Sequence, residues 1–339
     1  CSGKKAFKIN VESNMYIARE IGKQECDGLW PIIENTNLLQ SWEYGEAKKL
    51  SESWIPLRYV IESKDGEAVA IVQVLAKTLP MIGGIARLNR GPLFLSKTMK
   101  ESPSIYVETL RSLLLLRKSK KWWFFFIAPE IKKAKMEGID LMSLGLKLRK
   151  ASPWGSIVLD LVLDVDDLMK NLNGKWRNLL RKSQKSNLRI RQINGKHREF
   201  ESLLALYEAM QKEKGFTGMP LNLLRELGRS QGPVWALNAY VGELLDTEQS
   251  KDEMAGMLIS IRHGNTATYL IGYTGHNGRK VNVNYLLLWQ AILDSKAAGC
   301  KYFDLGGLNS NTPKGIAHFK RGVSGEEYEL LGEYVAGIF

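Results

Sequence analysis

The stretch that most limits how this chain can fold runs from Thr266 to Gly325: TATYLIGYTGHNGRKVNVNYLLLWQAILDSKAAGCKYFDLGGLNSNTPKGIAHFKRGVSG. Thr266 to Tyr273 carries the β-branched and aromatic residues of a buried strand, and Gly275–Gly278 closes it as a turn. From Asn284 the apolar residues Leu286, Leu287, Trp289, Ile292 and Leu293 recur at helical spacing, with Gly299 where a C-terminal cap belongs. Lys301 to Leu305 reads as a second short strand, ending in Asp304 and the Gly306-Gly307 pair. A strand–helix–strand unit of this kind builds an open α/β sheet, and ligands of such sheets collect beyond the carboxyl ends of the strands. Three groups converge there: Tyr269 with Tyr273, Asp304, and the Phe319-Lys320-Arg321-Gly322 turn. That end of the unit is the first candidate site.

With 339 residues, 44% hydrophobic and 25% charged, the chain is long enough for two domains with sizeable cores. No apolar run reaches the length of a membrane span; the longest lie around Leu113–Leu116 and Trp122–Ala128. The opening CSGKKAFKIN lacks the apolar stretch of a secretory leader. Cys1, Cys26 and Cys300 show neither metal spacing nor a disulfide framework, so a reduced, cytoplasmic setting is expected. His197, His263, His276 and His318 are scattered, and no metal site is expected. No nucleophile elbow or activated cysteine context is visible, so covalent catalysis is unsupported. The net charge of +12 points to an anionic partner, against the plainer reading of a basic soluble surface.

In chain order, residues up to about Gln24 read as an edge strand and connector, Leu29–Ile33 as a short helix and Gln40–Lys49 as another. Arg58–Ser63 and Ala68–Leu79 form a hairpin around Lys64-Asp65-Gly66, and Pro80–Gly84 breaks the pattern. In Ile85–Pro92, period-two spacing puts Arg87 and Asn89 on one face. Val107–Leu116 is a helix, and Trp122–Ile127 is expected as a fully buried central strand. Ser152-Pro153-Trp154-Gly155 marks a boundary. Beyond it come strand Ile157–Leu163, an N-cap at Asp164 and one helix carrying Leu168, Leu172, Trp176, Leu179 and Leu180. Its opposite face is dense in Lys175, Arg177, Arg181, Lys182, Lys185 and Arg189. No acidic residue lies between Lys170 and Arg191, so this face suits an external polyanion better than surface pairing. Strand Leu188–Ile193, helix Phe200–Lys212, and strands Val234–Leu244 and Ala255–Arg262 follow; Tyr328–Phe339 reads as a final strand.

Several of these segments carry a family resemblance. TYLIGYTG, NYLLLWQAI, KYFDLGGL and above all GIAHFKRG resemble the C-terminal half of the Fem-type (FemABX) peptidyl aminoacyltransferases of the GNAT superfamily. QSWEYGEAKK with IARLNRGPLF resembles that family's first half, and KWRNLLRKSQKSNLRI its basic helix, so the likeness spans about Gln40 to Gly325. The resemblance implies an α/β fold of two GNAT-like acyltransferase domains packed together: 1–152 on the acceptor side and 153–325 on the aminoacyl-tRNA side. A C-terminal strand, 326–339, would return toward the first domain. The Lys212–Leu244 segment is too short for the long coiled-coil arm of some members.

The implied reaction moves an amino acid from aminoacyl-tRNA to an amine of a phosphate-containing peptide acceptor. A peptidoglycan precursor such as lipid II or UDP-MurNAc-peptide is the family default, and a secondary metabolite is the other acceptor. No cofactor is implied, a monomer is expected, and a lipid-linked acceptor would add peripheral membrane contact. By this likeness Lys320 is the catalytic cation, and Phe319 stacks on the terminal adenine. Gln40, Trp42, Arg87, Asn89, Arg90, Tyr269, Tyr273 and Asp304 bind substrate. Lys175, Arg177, Arg181, Lys182, Lys185 and Arg321 meet tRNA. Ala128-Pro129 stands where the family often has Asp-Pro, so no general base is assigned. Gly278–Asn284 lacks the glycine-rich character of an acyl-CoA pyrophosphate loop, which disfavours a CoA-dependent N-acyltransferase. A non-catalytic RNA-binding module is the remaining alternative.

Overall fold

A computed structural model describes residues 16–79, 83–135, 139–245 and 253–337. The expectations for the first fifteen residues, for most of the Pro80–Gly84 break and for the last two tail residues lie outside these. The first half contains β1 (Tyr16–Glu20), α1 (Lys23–Leu29), α2 (Trp42–Glu52), β2 (Ile55–Ser63), β3 (Ala68–Leu79), β4 (Gly83–Gly91) and β5 (Leu93–Phe94). It continues with α3 (Lys97–Lys100), α4 (Pro103–Ser119), β6 (Trp122–Pro129) and β7 (Lys147–Leu148). The second half runs through β8 (Gly155–Asp160), α5 (Val165–Asn171), α6 (Gly174–Gln184), β9 (Leu188–Asn194), α7 (Phe200–Lys214) and α8 (Leu221–Arg229). Then come β10 (Trp235–Leu244), β11 (Glu253–His263), β12 (Thr266–Thr274), α9 (His276–Lys280), α10 (Val283–Ala297), β13 (Tyr302–Asp304), α11 (Lys314–Arg321), β14 (Glu326–Glu329) and β15 (Tyr334–Gly337).

Two mixed sheets result. The first has the order β1-β2-β3-β4-β6-β15-β7, with β5 on β3, and the second the order β14-β8-β13-β12-β11-β10-β9. The tail therefore splits. β14 pairs with β8 in the second sheet, and β15 then enters the first sheet between β6 and β7. Each sheet has a core of its own. A third apolar cluster joins the halves: Leu38, Tyr44, Ala47 and Leu75 pack with Phe200, Leu224, Leu237 and Ile259. Helix α8 supplies part of that contact by packing on α2. Among the described residues no helix is long and apolar enough to cross a membrane.

Local chemistry explains most boundaries. Ser41, Ser102 and Asp164 cap α2, α4 and α5 through side-chain oxygens that accept from backbone N–H groups. The helix expected as one piece after Asp164 is two. The chain leaves helical geometry at Leu172, and the Asn173 side chain caps a fresh start by accepting from Lys175 N. The expectation of a fully buried Trp122–Ile127 strand also fails. Trp123 and Phe124 are 38% and 37% exposed, because α4 covers only the face carrying Phe125 and Ile127. Arg87 and Arg149 lie over the Phe126 ring on the other face.

Candidate active site: a buried lysine beside an inter-domain cavity

β12 and β13 run parallel and pair only through Thr266–Thr268 and Tyr302–Asp304. Beyond Thr268, β12 continues to Thr274 while the chain leaves β13 as the Gly306-Gly307 turn, so a wedge opens at the carboxyl ends of both strands. Gly306 has φ of 61°, and a Cβ there would stand 2.6 Å from the Tyr269 carbonyl oxygen, so the turn requires glycine.

Lys320, on α11, reaches into this turn. It is 6% exposed, and its Nζ donates to the Gly306 and Gly307 carbonyls at 2.7 and 2.9 Å, with the Tyr269 ring 5.3 Å away. Burial pushes its pKa down from 10.5 to about 8, opposed by the charge of Asp304. An ammonium has three donors, and the two carbonyls take two. Phe319 packs in an aromatic group, stacked on Trp176 at 6.0 Å and edge-on to Tyr285 at 5.1 Å. Its ring is half-buried rather than presented as an open stacking platform.

The basic face of α6 lies directly behind α11. Trp176 donates from Nε1 to the Phe319 carbonyl at 3.0 Å, and Gly322 sits so close to the indole that a Cβ would meet it at 2.3 Å. Lys175, Arg181, Lys182 and Lys185 are exposed and have no ion-pair partner among the described residues. The rest of the expected set is engaged. Arg177 donates to the Met169 and Lys170 carbonyls at the end of α5, and Arg321 forms a two-pronged pair with Glu327. Contrary to the expectation of little pairing, Arg189 and Arg191 both bind Glu243, and Arg191 also binds Glu199. The partners come from β10 and the N-cap of α7, which a local count of acidic residues does not reach.

On the other side of Asp304 lies a cavity of about 440 Å³ between the two sheets. Its deep wall is ionic. Arg90 grips Glu130 through Nε and Nη2 at 2.7 and 2.8 Å, donates to Tyr328 OH at 2.8 Å, and approaches Asp304 at 3.5 Å. Burial opposes the guanidinium charge, yet Glu130, Tyr328 and Asp304 together hold its pKa well above the ordinary value. His263 also lines the wall; its Nε2 meets Thr268 Oγ1 at 2.8 Å, and burial lowers its pKa to about 3, so it stays neutral. Lys97 and Lys100, both exposed, stand at the rim.

Of the residues expected to bind substrate, Arg90 and Asp304 line this cavity, and Tyr269 faces Lys320. The others lie elsewhere. Gln40 is buried, donating to the Gln73 and Asn89 carbonyls and accepting from Gln73 N, so it ties α2's approach to β3 and β4. Trp42 stacks on the Arg58 guanidinium at 3.7 Å. Arg87 pairs with Glu333, Asn89 contributes its carbonyl to Gln40, and Tyr273 packs into the shared apolar cluster. Arg90 turns inward because φ is 52° at a bulge where two β4 steps, Asn89 to Gly91, face one on β6. Sequence reading missed Glu130, Tyr328 and His263. Glu130 stood two residues beyond Ala128, the only local signal any of them offered.

Arg90 is thus a structural cation more than a free phosphate grip. Arg90→Ala is expected to lower stability by about 3–5 kcal/mol, because it leaves Glu130 and Asp304 buried without their counter-charge. Urea titration measures this. Unchanged stability with acceptor affinity alone reduced would restore the phosphate role.

Residues 167–321 match the Acetyltransferase (GNAT) domain family. Among solved structures, FemX superposes with a TM-score of 0.77 at 17% identity, covering 95% of this chain and 97% of that one. A tandem GNAT protein from the clavulanic acid biosynthesis pathway gives 0.52 at 12% identity, over 95% and 97%. L-PGS from Bacillus licheniformis gives 0.53 at 11%, over 95% and 93%. No curated protein sequence matches the chain. The chain has the tandem GNAT fold seen in these structures, FemX among them, with no long coiled-coil arm among the described residues, and its second half carries the GNAT domain match.

Proposed function

We propose that this protein is an acyltransferase of Fem type that moves an amino acid from aminoacyl-tRNA to an amine of a phosphate-containing peptide acceptor. The observation that carries this reading is the Lys320 ammonium, buried at the mouth of the β12–β13 wedge with one donor unspent. In the reaction, the acceptor nitrogen attacks the ester carbonyl carbon and a C–N bond forms. The carbonyl oxygen becomes an oxyanion, and the C–O bond to the terminal ribose breaks. The amine proton leaves for the departing 3′ oxygen or solvent. A preplaced cation in a dry site lowers that barrier by meeting charge that exists only in the transition state.

The four exposed cations of α6 and its C-cap, without ion-pair partners among the described residues and docked through Trp176 against α11, suit an RNA backbone leading to the same wedge. The cavity suits the acceptor, with Lys97 and Lys100 at its rim for phosphates. A peptidoglycan precursor remains the default acceptor by the sequence resemblance. The CoA-dependent alternative is favoured by the acetyltransferase description of the matched domain. Against it, the segment a pyrophosphate would need is folded as α9, with Gly278 packed so tightly on the Ala255 carbonyl that a Cβ would lie 1.9 Å from the oxygen.

The test supplies radiolabelled charged tRNA, with and without RNase, and in parallel labelled acyl-CoA, to a panel of amine acceptors. RNase-sensitive transfer from tRNA is expected. RNase-insensitive transfer, or transfer from acyl-CoA alone, would overturn the reading, and RNA binding without transfer from either donor would leave only a binding module.

A further inference from the structure

Lys320 is held by main-chain carbonyls, so its place depends on whatever fixes the Gly306-Gly307 turn. The Gly306 N–H donates to Asp304 Oδ1 at 2.8 Å. Asp304 is buried and both its oxygens are occupied. Oδ1 also accepts from Ser156 Oγ, and Oδ2 accepts from Tyr328 OH at 3.1 Å. The same hydroxyl accepts from Arg90 Nη2, and Arg90 is anchored by Glu130, which in turn accepts from Asn37 Nδ2 at 3.1 Å. A continuous path therefore runs from Glu130 through Arg90, Tyr328, Asp304 and Gly306 to Lys320. It begins on β4 and just past the end of β6 in the first half and ends at Lys320 on α11 in the second. Tyr328 is the crossing point, on β14 just before the chain enters the first sheet as β15.

We propose that Tyr328 is a positioning residue, whose hydroxyl couples the Arg90–Glu130 pair of one domain to the Asp304-anchored turn that holds Lys320 in the other. The role rests on the reading of Lys320 as the charge that serves the reaction. A tyrosine suits the position because its hydroxyl donates and accepts at once, so it bridges a cation and a carboxylate that stand 3.5 Å apart without leaving either short of a partner. Burial raises the phenol pKa well above its ordinary value, so the donating proton is retained at working pH. Arg90, Tyr328, Asp304 and Glu130 also line the cavity, so a ligand filling it contacts the path itself.

Tyr328→Phe removes the hydroxyl and keeps the ring. The direct readout is the reactivity of Lys320 toward trace acetic anhydride, followed by mass spectrometry with exposed Lys175 and Lys185 as internal references. Labelling of Lys320 is expected to rise about tenfold relative to the references, while the melting temperature falls by only a few degrees. Where transfer is measured, kcat should fall about tenfold with both KM values within twofold. If Tyr328→Phe does not fold, Glu130→Gln is measured the same way, since it keeps the shape and weakens the anchor of Arg90. Unchanged labelling in a folded variant would overturn the proposal. Raised labelling with undiminished kcat would uphold the positioning and instead sink the reading of Lys320 as the reacting charge.

Discussion

Lys320→Met is expected to reduce turnover on the order of a hundredfold or more, with donor and acceptor affinities little altered, as for loss of an oxyanion donor. Methionine keeps much of the side-chain length but removes the charge and the N–H donors, so the wedge stays filled. The bonds to Gly306 and Gly307 are lost, and with them the cation that, on the proposed reading, meets charge developing in the transition state. Arginine should substitute poorly, because a planar fork does not reproduce a compact ammonium between two carbonyls. The pH profile follows from the same geometry. The protonated form is the useful one, and burial brings its pKa to about 8, so turnover should fall as pH rises through that value. Binding of tRNA should not follow that profile. Single-turnover kinetics across pH 6–10 (roughly two units either side of that value) separate chemistry from binding. If Lys320→Met keeps turnover and raises the half-saturating tRNA concentration, Lys320 is a phosphate contact and the oxyanion has no assigned partner.

Reversing Lys175, Arg181 and Lys185 to Glu is expected to weaken tRNA binding by about two orders of magnitude or more at moderate salt and to flatten its salt dependence. These side chains are exposed and unpaired among the described residues, so their charge is available to an external polyanion without first breaking an ion pair. They sit on the face of α6 opposite Trp176 and Leu180, which keep the helix docked, so the fold should tolerate the change. Acceptor binding should be nearly intact. Anisotropy titrations at several salt concentrations measure both the affinity and the slope. An unchanged affinity would return this face to an ordinary solvated surface. Arg177 and Arg321 are poorer probes than the sequence suggested, since one closes the end of α5 and the other pairs with Glu327.

The parts of this molecule that sequence reading reached are those set by local periodicity. The β12–α10–β13 unit, the Lys64-Asp65-Gly66 hairpin and the Asp164 cap all follow from patterns within a dozen residues. The errors arose where local pattern was silent or misread. Helix α8 carries Leu223, Leu224 and Leu227 at helical spacing after Pro220, yet its role comes from α2, far away in sequence. The tail read as one strand because its apolar residues continue. Gly332, at φ of 105°, lies between β14 and β15 as the chain passes from one sheet to the other. The candidate site shows the same limit. Lys320, Asp304 and Arg90 were visible as residues, but the first two are joined through a glycine turn, and Arg90 meets Glu130 and Tyr328 only after folding. Gln40 and Arg87 had the same polar look as true cavity residues, and their partners, Gln73 and Glu333, take them out of it.

The central claim is that the aminoacyl carbonyl sits at Lys320. It is tested most directly by a structure with a short RNA ending in CCA, its terminal ribose carrying an amide-linked amino acid that resists transfer. The carbonyl oxygen is expected within hydrogen-bonding distance of Lys320 Nζ, in the wedge between β12 and β13, with the RNA backbone leading toward Lys175 and Arg181. An aminoacyl group seated in the cavity beside Glu130, or a phosphate rather than a carbonyl at Lys320, would contradict it.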